Sequence, residues 1–140
     1  MDNLSLLCFD YGLARIGVAT AHLITGRATP LTTLSCRNGE PDWSAVERLI
    51  DEWQPDLIVV GKPENCEENK SLRKAIRRFC TAIEQRFNIE TTTHDESLSS
   101  NEAYFQLKNM RKYQHRKIAK EQIDQLSAAI ILQSWIEYRS

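Results

Sequence analysis

At 140 residues and 41% hydrophobic, the chain has material for one good core and little beyond it, so a single domain over residues 1–140 is expected. A net charge of -1 argues against a histone-like polyanion binder. No stretch approaches the roughly 20 apolar residues that a membrane span needs, and the N-terminus lacks the basic-then-apolar layout of a secretory signal, so a cytoplasmic protein with no membrane association is expected. Cys8, Cys36, Cys66 and Cys80 show no C-x-x-C spacing, which favours reduced packing residues over disulfides or zinc ligands.

The run Leu4-Ser5-Leu6-Leu7-Cys8-Phe9 is apolar at nearly every position, the pattern of a strand buried on both faces. Asp10 closes it. An ionised carboxylate at the end of a buried strand is costly unless a cation or a hydrogen-bond network compensates it, which makes Asp10 a candidate metal ligand. Arg15 to Thr20 forms a second strand and Thr29 to Ser35 a third, a meander with turns at Gly12 and Gly26. Pro41-Asp42 opens a helix that places Trp43, Val46, Leu49, Ile50 and Trp53 on one face, with Asp42 as N-cap and Pro55 as the stop. Leu57-Ile58-Val59-Val60 is a short, wholly apolar strand stopped by Gly61-Lys62-Pro63, as expected of a covered parallel position.

The second half repeats the alternation. Leu72, Ile76, Phe79, Ile83 and Phe87 define an amphipathic helix over Ser71 to Phe87, with Arg73, Lys74, Arg77 and Arg78 on its other side. Ile89 to His94 is a fifth strand, ending at Asp95-Glu96. Ser99 and Glu102 form a capping-box pattern for a short helix to about Leu107. From Lys108 to Lys120 the chain carries Lys108, Arg111, Lys112, Arg116, Lys117 and Lys120 with His115 and Tyr113 and no acid. Such a segment suits a phosphate backbone with a base stacked on the tyrosine; the plainer reading is a solvated loop. A last helix from about Ala119 to Tyr138 turns Ile123, Leu126, Ile130 and Trp135 inward. Its Trp135 and Tyr138 end reads either as a partner surface or as an ordinary terminus.

Three strands in a meander, then helix, strand, helix, strand and helix, is the order of an α/β ribonuclease H-like fold with a central mixed five-stranded sheet flanked by helices. That topology brings acids from separate elements to one edge: Asp10 from the first strand, Asp95 and Glu96 from the fifth, and Asp124 from the first turns of the final helix. Ser127, Ala128 and Ile131 continue a small, apolar stripe from Asp124, which directs that acid toward the sheet. The plainer reading of Asp124 is an acid placed to suit a helix N-terminus.

The segments Phe9-Asp10-Tyr11-Gly12, Arg15-Ile16-Gly17-Val18-Ala19, Val59-Val60-Gly61-Lys62-Pro63, His94-Asp95-Glu96-Ser97-Leu98-Ser99 and Ile123-Asp124-Gln125-Leu126-Ser127-Ala128-Ala129 stand in the order of the motifs of the YqgF (RuvX) family, which this chain resembles over almost its whole length. The resemblance implies a bacterial cytoplasmic nuclease, associated with processing the 5' end of the 16S ribosomal RNA precursor and earlier linked to cutting recombination junctions. The partners it implies are precursor rRNA, ribosomal precursor particles or branched DNA. Two departures bear on function. Ser97 stands where the family usually has an arginine, so a fork-shaped phosphate contact is missing or supplied by Arg15 or Lys62. The loop after Pro63 is acidic, Glu64-Asn65-Cys66-Glu67-Glu68-Asn69, where a glycine is common near Glu68; these acids suit the N-terminus of the following helix.

Hard oxygen donors suit Mg²⁺ or Mn²⁺. Asp10, Glu96 and Asp124 are the expected metal ligands, with Asp95 a further catalytic candidate. Arg15, Lys62, Arg111, Lys112, Tyr113, Arg116 and Lys117 are the substrate-binding candidates. His94 is a candidate proton carrier, against its plainer role as a polar strand end. Two other classes compete with the nuclease: a non-catalytic RNA-binding module, and an actin-like phosphate-loop ATPase suggested by Asp10-Tyr11-Gly12. The ATPase would need a second lobe that 140 residues do not supply.

Overall fold

A computed structural model of the chain describes residues 4–62, 69–95 and 120–139. Its elements are β1 (Ser5–Asp10), β2 (Arg15–His22), β3 (Thr29–Arg37), β4 (Glu40–Pro41), α1 (Trp43–Trp53), β5 (Leu57–Lys62), α2 (Lys70–Phe87), β6 (Glu90–Asp95) and α3 (Lys120–Tyr138). Among the described residues the strands form one sheet in the order β4-β3-β2-β1-β5-β6. β1, β2 and β3 are antiparallel neighbours, whereas β5 and β6 run parallel to β1.

The sheet has six strands instead of the expected five. The added strand is Glu40–Pro41, turned back onto Cys36 and Arg37 by Asn38 and Gly39, which hold positive φ of 55° and 79°. An Asn-Gly pair supplies the left-handed geometry of a tight hairpin. The helix expected from Ser99 to Leu107 lies outside the described residues. So do Cys66 and the acidic residues 64–68.

The helices start where the caps place them. The Asp42 carboxylate accepts from the Ser44 N–H at 3.1 Å, and the side chain of Asn69 accepts from the Leu72 N–H at 3.0 Å. Gln54 and Asn88 end α1 and α2 in the left-handed region. Strand alternation then divides the interior in two. On one face Leu7, Phe9, Ile16, Val18, Ile58 and Val60 meet α1 and α2, with Phe79 edge-on to Phe9 at 5.5 Å. On the other face Leu6, Cys8, Ala19, Ala21 and Val59 meet α3.

One row of strand partners explains how α3 is held. Across β3, β2, β1, β5 and β6 the partners run Thr33, Gly17, Asp10, Gly61 and His94, all directed to the α3 face. Thr33 Oγ1 donates to the Glu121 carbonyl, Gly17 lies under the Asp124 backbone, Gly61 lies under Ile131, and His94 Nε2 shares a 3.0 Å hydrogen bond with Ser134 Oγ. From Glu121 to Ser134 the helix rises roughly 20 Å at about 1.5 Å per residue. From β3 to β6 the sheet spans roughly 19 Å at about 4.8 Å per strand. The helix therefore crosses the sheet along this row, with a contact on each of β3, β2, β5 and β6.

The inward face of α3 is accordingly Ile123, Ser127, Ala128, Ile131, Leu132 and Ser134, all buried. Leu126, Ile130 and Trp135, expected inward, are only half-buried. The apolar residues of this helix are spread around it without a strong preference for one side, and the two glycines beneath it select which residues face the sheet.

Two outcomes follow from this packing. A Cβ at Gly17 would collide with the Asp124 backbone, whereas one at Gly61 would meet the mobile Ile131 Cδ1 at 2.8 Å. Gly17→Ala is expected to cost about 3 kcal/mol or more, and Gly61→Ala about 1 kcal/mol less than that or better. Chemical denaturation of both variants measures this, and equal losses would contradict the seating of α3. The second outcome concerns His94. Burial lowers its pKa below the usual 6.5, with the Asp95 charge acting weakly in the opposite sense. The unfolded chain therefore takes up this proton first as pH falls, so stability is complete above about 6.5 and declines through and below it. Unfolding curves at pH 7.5 and pH 5 should show a smaller loss for His94→Gln than for the natural chain; identical losses would remove His94 from this account.

Candidate active site

Asp10 is the last residue of β1, at the edge where β1, β5 and β6 all end. Carboxyl ends of parallel strands are where open α/β sheets place their ligands. Asp10 pairs with Gly17 on one side and Gly61 on the other, so it stands between two positions that carry no side chain. It is half-buried. In α3 the small buried residues Ser127 and Ala128 fall between the contact over Gly17 and the contact over Gly61.

Asp124 reaches the same edge from the helix. Its backbone rests on Gly17, the strand partner of Asp10, so the two acids lie on one face of the sheet at neighbouring positions. The Asp124 carboxylate takes a hydrogen bond from Arg15 Nε at 2.6 Å, and the pair is partly open to solvent. This hydrogen bond, and secondarily the Asp124 charge itself, raises the pKa of Arg15 further above its ordinary value. Arg15 and Gly17 are two apart on β2 and share a face, which brings the guanidinium to the acids.

The remaining expected residues divide by face. Lys62 and Asp95 are partners at the ends of β5 and β6. Each is one residue beyond a member of the row that faces α3, so alternation turns both to the α2 side, where the Lys62 charge lowers the Cys80 pKa against burial that pushes the thiol up to about 11. His94 faces α3 but is sequestered between Ser134 and the ring of Tyr138, 5.7 Å away. Glu96, Ser97 and the basic stretch with Arg111, Lys112, Tyr113, Arg116 and Lys117 lie outside the described residues. Cys8, Cys36 and Cys80 are free thiols.

Among the described residues no three His, Cys, Asp or Glu side chains come together as a ligand set. Asp10 and Asp124 supply two hard oxygen donors, and the third expected acid follows β6. That donor chemistry fits Mg²⁺ or Mn²⁺ and does not fit a soft metal. Gly17 is the residue that sequence reasoning left without a role. Its signal was a glycine inside a strand of otherwise apolar residues, which marks a close backbone approach.

Comparison with known proteins follows the same pattern. The family profile described as RuvX, Holliday junction resolvase, matches residues 4–138. The chain is 40% identical over 138 residues to a protein of Proteus mirabilis strain HI4320 named "Putative pre-16S rRNA nuclease", covering 98% of both. It is 44% identical over 134 residues to a protein of the same name from Escherichia coli O157:H7 strain EC4115, covering 95% of this chain and 96% of that one. Among solved structures, T. thermophilus RuvC in complex with Holliday junction substrate aligns with a TM-score of 0.58 at 12% identity, over 97% of this chain and 95% of that one. The fowlpox virus Holliday junction resolvase gives 0.52 at 14% identity, over 96% and 99%. These likenesses establish the ribonuclease H-like fold, and no helix among the described residues is long and apolar enough to cross a membrane. By a match over nearly its whole length, the chain belongs to the RuvX family.

Proposed function

We propose that this protein is a metal-dependent nuclease that hydrolyses phosphodiester bonds and trims the 5' end of the 16S ribosomal RNA precursor, acting in the cytoplasm on precursor particles. The observation that carries the proposal is the placement of Asp10 and Asp124 on one face of the sheet, across a glycine, at the carboxyl edge of the parallel strands. The names of the close relatives support the RNA substrate. Asp10, Asp124 and Glu96 would hold Mg²⁺ or Mn²⁺; Asp95 and Lys62 face away and we leave them out of the site. When bound, the divalent ion orients the attacking water and neutralises charge on the phosphate.

The chain's own groups perform the rest. Asp10 is held between Gly17 and Gly61, strand partners that carry no side chain. Arg15 already places a cation on Asp124. Once other positive charge satisfies that carboxylate, the guanidinium is free to turn to a phosphate oxygen, the contact that Ser97 cannot make. The basic segment Lys108 to Lys120, with Arg111, Lys112, Tyr113, Arg116 and Lys117, would hold the flanking backbone.

A second reading, resolution of branched DNA, draws on the description of the family itself. The experiment separates them. Mn²⁺ is titrated into the natural protein and Asp10→Asn, and cleavage of precursor rRNA, junction DNA and single strands is followed together with binding. Asp10→Asn and Asp124→Asn are each expected to lose cleavage by at least about 100-fold while retaining RNA binding. Full activity in Asp10→Asn would end the role given to Asp10, no cleavage by the natural protein at any Mn²⁺ concentration would end the nuclease proposal, and cleavage of junction DNA alone would favour the second reading.

A further inference from the structure

The acids and α3 occupy one face of the sheet; the other face carries a surface that the proposed chemistry does not use. α2 has Lys70, Arg73, Lys74, Arg77 and Arg78 in its first nine residues and no acid among them. This order opposes helix physics. Bases occupy the N-terminal turns, where the helix dipole favours anions, and Lys70 with Lys74, Arg73 with Arg77, and Lys74 with Arg78 are like-charged pairs four residues apart. A face selected only for solubility would intersperse acids. Charges arranged against local stability are the mark of a surface kept for a ligand.

Lys74, Arg77 and Arg78 are exposed, and none of them forms an ion pair among the described residues. They border a run of open clefts along the helix. One of about 330 Å³ is lined by Ser71, Lys74, Arg77 and Arg78. The next, about 380 Å³, lies between Arg77, Arg78, Thr81 and Gln85. Arg78 also borders a third of about 220 Å³ beside Tyr11 and Trp43. The aromatic rings here are already engaged. Trp43 stacks on Phe79 at 5.8 Å, carries the Arg86 guanidinium 4.3 Å from its centre, and donates from Nε1 to Glu40 at 2.8 Å. The surface therefore offers charge and clefts without an open ring for a base.

We infer that the outer face of α2, through Lys74, Arg77 and Arg78, is a second binding surface for the phosphate backbone of the nucleic acid, remote from the bond that is cut. We confine it to these three because the acids that precede the helix, Glu64, Glu67 and Glu68, lie outside the described residues. The inference rests on the nuclease reading for the identity of its ligand. It adds a length requirement. The straight-line separation from the acids to the outside of α2 is on the order of 20 Å, and a strand must go round the sheet edge to cover it, so the substrate must extend by more than roughly six nucleotides at about 3.4 Å each. Only substrates that extend that far from the scissile bond can reach it.

The test compares the natural protein with Lys74→Ala/Arg77→Ala/Arg78→Ala and with Arg77→Lys/Arg78→Lys. Fluorescence anisotropy is read on long and short labelled oligonucleotides, in RNA and DNA arms, across a salt series. For long probes the triple variant is expected to bind roughly tenfold more weakly, with the slope of log Kd against log salt reduced by about 2 to 3. Short probes should bind alike and be cleaved at the natural rate, and the lysine variant should keep its long-probe affinity. Thermal unfolding should show the triple variant at least as stable, because alanine is a good helix former and the like-charged pairs are gone. Loss in both arms supports a surface for either backbone, and loss in one assigns that nucleic acid. Unchanged affinity and slope on long probes, in a protein that cleaves short ones, would overturn the inference alone; equal weakening on short and long probes would also overturn it. A natural protein that neither binds nor cleaves any probe would instead overturn the nuclease reading beneath it.

Discussion

The structure depends on a close approach: α3 rests at Asp124, in its second turn, directly on the backbone of β2 at Gly17. A side chain there would lift the helix, and the lift would be felt twice. The helix would lose its row of contacts from Thr33 to His94, and Asp124 would leave the strand whose neighbour is Asp10. Packing and site geometry are thus one requirement. Close-packed interiors transmit such displacements instead of absorbing them.

The same arrangement explains why the acids are tolerable. Two carboxylates on one face repel each other and lose hydration. Arg15 offsets part of that cost by its 2.6 Å hydrogen bond to Asp124. The pair is partly exposed, so its contribution to stability is modest; its consequence is positional, because it fixes the carboxylate at the open edge of the sheet. The two sides of the sheet then differ in charge. The α3 side concentrates acids at the carboxyl edge, and the α2 side presents Lys74, Arg77 and Arg78 to solvent. A net charge near zero hides this division, which is why composition alone argued against a polyanion ligand.

Much of the fold was legible because local signals agreed with the global ones. Asp42 and Pro55 bound α1, and the apolar spacing of Leu72 to Phe87 sets α2, each within a residue of the observed limits. The unbroken apolar run of β1 placed Asp10 at a strand end. Less legible were features set by tertiary contact. The Asn38-Gly39 turn adds a strand of only two residues, too short for any periodicity to reveal. The facing residues of α3 were misjudged at Leu126 and Ile130, while Trp135 packs at the margin of the core, because a helix whose apolar residues are spread around it has no preferred face until Gly17 and Gly61 impose one. Asp95 was a candidate as the neighbour of Glu96 and Lys62 as a phosphate contact, and a period of two directs both to the α2 face. The pairing of Arg15 with Asp124, 109 residues apart, had no sequence signal beyond complementary charge.

The central claim, that Asp10 and Asp124 are held together to bind a divalent ion, is tested most directly by anomalous diffraction from crystals grown with Mn²⁺. The expected result is a manganese peak in contact with both carboxylates, with the Arg15 guanidinium turned away from Asp124. A peak that touches neither acid, or an unbroken Arg15 to Asp124 bond at saturating Mn²⁺ with no peak beside it, would contradict the account.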